Sequence, residues 1–309
     1  MQKGETQQSD SVSVVTKAVN LDLYRYMWLN KPESAHDAAG SGVRRRNEED
    51  GIPRSTLRIP GVFLPDTIVY HFGKATHWYF TDRSGRIRRK HSKNLTSERL
   101  VKCFEDTDAL MTPWQSARYS EVVAVFISQD PKSFEVSAQF MNLSDVKMFV
   151  GRSAEIRGHG ILQKFVSPKT IHNEVVRVEW TPSVCLVERR TNTNRLDNSR
   201  AGLAERSTTY ETANSYCVDS FVSEDGGLTR RIRATCHFLA QHVSFVTGKP
   251  CPTRMVAYFK CGTANRLWFL WVDALQFDPF DKMLQMRHER YSVCVCVISV
   301  CLIRSTRCC

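Results

Sequence analysis

Short runs rich in β-branched and aromatic residues recur along the chain, each closed by glycine, proline, asparagine or charged turns. That pattern marks strands. Ile68–Phe72 and Trp78–Thr81 are the first two, followed by a turn at Asp82–Gly85. Glu121–Ser128 and Phe134–Met141 make another pair around the turn 129–132. Gly160–Val166, Val175–Thr181 and Ser183–Thr191 form a second run, with a polar loop over 192–206 and a weaker strand region over 208–222. Met255–Lys260 and Leu267–Val272 read as a hairpin. The last strand is apolar on both faces, which predicts cover on both sides.

Helical spacing is rarer. Ser97–Phe104 places Leu100, Val101 and Phe104 on one face behind a serine cap, and Ser144–Val150 is a second short helix. Thr229–Thr247 is the principal helix: Ile232, Cys236, Leu239, Ala240, Val243 and Val246 recur at three- and four-residue steps. Gly248, Pro250 and Pro252 end it. The predicted class is therefore α+β, a mainly antiparallel sheet with the 229–247 helix packed on it.

Residues 1–60 are polar and read as a disordered arm, apart from the apolar island Leu21–Leu29, which docks on a partner or on the chain's own core. The ordered part divides near Gly151 into a smaller basic lobe (61–150) and a larger one (151–280), or forms one continuous domain. The tail, 281–309, holds Val293-Cys-Val-Cys-Val297 and ends in Cys308-Cys309. A repeated TG dinucleotide encodes that alternation, which points to a eukaryotic gene and to a segment that is not a designed element. Acylation of Cys308 or Cys309 is the alternative. The Cys-x-Cys spacing is too tight for the usual zinc chelate loop.

Charge changes the picture locally. The net charge is +11. Residues 61–102 carry +6 and residues 103–150 carry −4. Arg83, Arg86, Arg88, Arg89, Lys90 and Lys93, with His91, fall within 11 positions that contain no acid. They follow Trp78 and Tyr79, a candidate aromatic platform. Basic and aromatic groups side by side suit a polyanion; a nuclear-import signal and a solvated edge strand are the plainer readings. Arg157-Gly-His-Gly160 leads into a strand, lacks the dinucleotide-binding spacing, and reads as a turn.

No hydrolase or metalloprotease motif is present, and the nine histidines are scattered. The remaining cysteines form no Cys-x2-Cys pair, and Cys185 and Cys236 read as buried inert thiols. No catalytic residue, metal or cofactor is assigned. No stretch is long and apolar enough for a spanning helix, and the N-terminus lacks the apolar centre of a secretory signal, so a cytoplasmic or nuclear setting is expected. Three function classes follow. The first is a non-enzymatic binding or scaffold protein with a basic surface for an acidic protein partner, such as a cytoskeletal one. The second is an RNA- or DNA-binding protein using residues 83–93. The third is an enzyme whose chemistry no motif carries.

Overall fold

The computed structural model describes residues 19–29, 62–105, 121–129, 132, 136–152, 158–212, 215–224 and 226–277. The tail, with Cys308 and Cys309, and most of the expected N-terminal arm lie outside the described residues. The fold is α+β with two antiparallel sheets, as the pattern of short strands requires.

The strands are β1 (Val62–Phe63), β2 (Thr67–His71), β3 (Lys74–Thr81), β4 (Ile87–Arg89), β5 (Ala124–Gln129), β6 (Val136–Met141), β7 (His159–Lys164), β8 (His172–Trp180), β9 (Cys185–Arg195), β10 (Cys217–Phe221), β11 (Arg254–Cys261) and β12 (Leu267–Gln276). Among the described residues the helices are α1 (Asp22–Trp28), α2 (Ser97–Glu105), α3 (Leu143–Gly151), α4 (Leu203–Ser207) and α5 (Gly227–Thr247). One sheet runs β1-β12-β11-β8-β9-β10 and the other β4-β3-β2-β7-β5-β6. Every pairing is antiparallel except β1 with β12.

The second sheet is buried on both faces because its central strands alternate two apolar sets. Ile68, Tyr70, Ala124, Phe126 and Leu162 pack under Leu100 and Phe104 of α2 and Val146 and Val150 of α3. Val69, Val125, Ile127 and Ile161 belong to the other core, which they share with the first sheet and α5. Gly160 lies inside β7, not in a turn. A Cβ there would sit 2.6 Å from the Ile127 carbonyl oxygen and 2.9 Å from the Phe126 ring, so the strand approaches its neighbour only without a side chain.

Helix α5 covers the first sheet with all six residues of the expected face buried. Gly248, at φ 64°, closes it in the left-handed conformation that glycine tolerates best. The apolar island is α1, and it docks on its own chain: Leu23, Tyr24 and Met27 are buried. The Tyr24 hydroxyl donates to the Leu270 carbonyl at 2.6 Å.

β7 is the centre of the sheet built from residues 67–164. One element differs from the sequence reading. The expected loop over 192–206 is the end of β9 followed by α4. Asn192 there is fully buried, and its amide donates to the Glu205 and Thr208 carbonyls at 2.9 Å each. These bonds come from chain folded back on the strand, so local sequence carried no sign of them.

Three histidines near α1, His71, His77 and His242, have lowered pKa values. His242 Nε2 donates to the Tyr26 carbonyl at 2.9 Å. His71 and His159 share a hydrogen bond between their Nδ1 atoms at 2.8 Å. Burial lowers the pKa of His71, with a further push from His159; burial, then Arg89, His71 and Arg25, lowers that of His77. Burial also lowers His242, against its backbone hydrogen bonds. A histidine whose folded pKa lies below its unfolded value takes up a proton more readily when unfolded. The stability it contributes is complete above the ordinary value of 6.5 and is lost as pH falls from there through the folded pKa. The urea midpoint is therefore expected to be lower at about pH 5 than at about pH 7.5, and His242→Gln should reduce the difference. A midpoint that does not move would contradict this account.

Candidate functional site

The basic stretch after β3 folds as a turn and the strand β4, which among the described residues pairs only with β3. The Asp82 carboxylate organises the turn. It accepts from the Ser84 amide at 2.9 Å, the Ser84 hydroxyl at 2.6 Å, the Arg86 amide at 3.0 Å and Arg88 Nε at 2.7 Å. Burial raises its pKa, yet those bonds outweigh burial and hold the carboxyl well below the usual carboxylate range.

The six candidate cations point different ways. Arg88 is taken by Asp82. Arg89 lies 3.9 Å over the Trp28 ring of α1. Arg86 and Lys93 are exposed and line no hollow described here. Lys90 sits 4.9 Å from the Trp78 ring centre and 4.7 Å from that of Phe80. Of the six, Arg83 and Lys90 line two adjoining hollows. The expected aromatic platform is largely core: Trp78 is 4% exposed and Tyr79 2%. Tyr79 stacks on Tyr24 and His77, while Trp78 Nε1 donates to Asp66 Oδ1 at 2.7 Å.

The concave surface is a pair of abutting hollows. One, of about 510 Å³, opens where the two sheets meet; Phe63, Phe80, Phe165 and Trp268 wall it, with Arg83 and Arg266 at its sides. The other, of about 610 Å³, lies between β3 and α2; Lys90, Arg99 and Lys102 reach it, with the edge of Trp78. Asp66, Phe80, Arg83 and Lys164 line both, so the two are halves of one cleft. Lys164 stands at the junction, at the end of β7, and its Nζ donates to the Cys103 carbonyl at 3.3 Å. Arg266 stacks over Phe63 at 5.1 Å.

Among the described residues the cleft is one-sided in charge. The two carboxylates among them are engaged, Asp82 by the turn and Asp66 by Trp78 and by the thiol of Cys103. Burial first, and then Asp66, push that thiol well above its ordinary value, so Cys103 is no nucleophile here. Among the described residues no group of three or more His, Cys, Asp or Glu side chains is placed to hold a metal ion. No described helix is long and apolar enough to cross a membrane.

Sequence reasoning missed most of this cleft. Arg99, Lys102, Lys164 and Arg266 are spread over 168 positions and meet only through the sheet order. One signal was present: Lys164 interrupts the apolar run Ile161-Leu-Gln-Lys-Phe-Val166 at a strand end.

No family model matches the chain. No curated protein matches it either. Among solved structures, it is similar to the macrocyclase MdnC bound with precursor peptide MdnA from Microcystis aeruginosa MRC. That match has 10% identity over 69% of this chain and 48% of that one, with a TM-score of 0.37. For the D-cycloserine synthetase DcsG the values are 13%, 70%, 59% and 0.38. For the VanG D-Ala:D-Ser ligase from Enterococcus faecalis they are 10%, 69%, 48% and 0.33. The chain thus spans about half the length of the structures it matches. Further matches are described as ATP-grasp ligases. The proteins so matched are enzymes, which stands against the reading of a non-enzymatic binding or scaffold protein, and that reading is not carried further. Residue roles are argued from the cleft alone.

Proposed function

We propose that the cleft binds a nucleoside phosphate and that the chain is the nucleotide-binding part of an enzyme. One observation carries this reading: an aromatic-walled hollow and a cation-lined hollow adjoin, with Lys164 lining both. A nucleotide has the same two ends. Its base stacks on rings with little regard to sequence, each such contact contributing roughly 1–3 kcal/mol. Its phosphates take charge-assisted hydrogen bonds from lysine and arginine. Phe63, Phe80 and Trp268 would hold the base; Lys90, Arg99, Lys102 and Lys164 would hold the phosphates. Each hollow falls in the range of roughly 300–1,000 Å³ that suits a small ligand.

The test is a titration of the full chain with a fluorescent ATP analogue, followed by competition. ATP should displace the probe, adenosine should do so far less well, and added salt should weaken binding. Equal competition by adenosine and ATP would show that the cations take no part. Failure of ATP to displace the probe would end the nucleotide reading.

A further inference from the structure

Behind the aromatic wall lies a lysine that the cleft does not touch. Lys260, on β11, is 2% exposed. Its ammonium donates to Asn173 Oδ1 and sits 4.0 Å from the centre of the Phe165 ring. Phe165 is the side chain common to both places, since it also lines the cleft. Asn173, 1% exposed, is fixed in turn by its own donation to the Ser207 carbonyl. The charged groups that act on Lys260 are Glu211, from the segment after α4, and Glu174, from β8. Glu211 is held by the Thr209 amide at 2.7 Å and the Thr209 hydroxyl at 3.0 Å. The strand end after β7 contributes Phe165, and β12 contributes the register partner Trp268, both uncharged.

We infer that Lys260 is a positioning residue of the nucleotide cleft: acting through Phe165, it places a positive charge behind the aromatic wall, and affinity for an anionic ligand depends on that charge. The inference rests on the nucleotide reading. A cation on one side of an aromatic ring draws electron density toward itself and makes the rest of the ring a better neighbour for negative charge. At the low effective dielectric of the interior, such a charge acts on a bound anion much more strongly than it would through water. Burial pushes the Lys260 pKa down to about 7, with Glu211 and then Glu174 opposing the shift. The charge is therefore present below about 7 and lost above it, so affinity falls as pH rises through that value. Among the described residues no histidine lines either hollow to give the same profile.

The experiment compares the dissociation constant of ATP for the wild-type chain, Lys260→Met and Lys260→Arg at about pH 6 and about pH 8.5. Taking the ratio of variant to wild type at each pH cancels the ligand's own titration. The methionine variant should bind about tenfold more weakly at the lower pH and nearly as well as wild type at the higher one. The arginine variant, charged throughout, should match wild type at the lower pH and exceed it at the higher. Ratios that do not change with pH would overturn the inference while leaving the nucleotide reading in place. If the wild type binds no ATP at either pH, both fall together. Should the variants not fold, calorimetry of the wild type at about pH 8 in buffers of different ionisation enthalpy decides the matter. Binding that raises the lysine pKa must take up protons, and release or no exchange would overturn the proposal.

Discussion

Lys164→Glu is expected to weaken nucleotide binding by about a hundredfold or more. Lys164 lines both halves of the cleft, at the junction where base and phosphates would meet. Reversal removes one attraction and adds a repulsion, and it sets a carboxylate beside Asp66, which already lines the same surface. Lys164→Met keeps the aliphatic stem and should lose only the attraction, so it should fall between wild type and the glutamate variant. Arg86→Glu and Lys93→Glu change charge by the same amount in the same basic stretch but line neither hollow. They should shift the dissociation constant by less than about threefold, as rim charges do. A fluorescent-nucleotide titration of the four variants checks the set. Equal losses in the three glutamate variants would mean that net charge, not the cleft, governs binding. The urea midpoint of Lys164→Met confirms that the strand end still folds.

Tyr24→Ala is expected to cost about 3–5 kcal/mol of stability, the range for a large aromatic removed from a core. Tyr24 is 1% exposed, stacks on Tyr79 with ring centres 6.3 Å apart, and meets Phe269 edge-on at 6.3 Å. The substitution empties that space and takes the Tyr24 hydroxyl from the Leu270 carbonyl, which keeps its other donor, Gln163 Nε2 at 3.0 Å. Tyr24→Phe removes only the hydroxyl and should cost about 1 kcal/mol. Chemical denaturation of the two variants measures the difference. An alanine variant as stable as wild type would mean that α1 is an accessory to the fold and not part of it.

The strands and the main helix were legible because they announce themselves locally. Six residues of α5 repeat at helical spacing, and all six are buried. β11 and β12 flank a five-residue turn, and Gly248 stands where the helix must stop. The cleft was not legible, for a physical reason. Lys164 and Arg266 are neighbours in the cleft because β7 lies at the centre of one sheet and β12 near the edge of the other, and strand order is not written in any window of sequence. The basic stretch drew attention through its density, yet density is a property of the chain and not of the surface. Alternation along β4 sends Arg88 to Asp82 and Arg89 to Trp28, and Arg83 and Lys90 face the cleft. Lys260 was read as one residue of a strand. Its meaning comes from Asn173, Glu211 and Phe165, which reach it from three other segments.

The parallel pairing of β1 with β12 joins Val62 to Leu267, and the amide of Asn20, just before α1, donates to the Val272 carbonyl at 2.8 Å. The first described elements thus rest on the last strand. During synthesis α1 and β1 emerge early, and the contacts they make with β12 must wait until that strand has left the ribosome. The second sheet draws all its strands from residues 67–164 and can assemble before then. Closure of the first sheet must follow, across most of the chain's length, and contacts so distant in sequence form slowly. The interval between those two events is when the nascent chain most needs a chaperone.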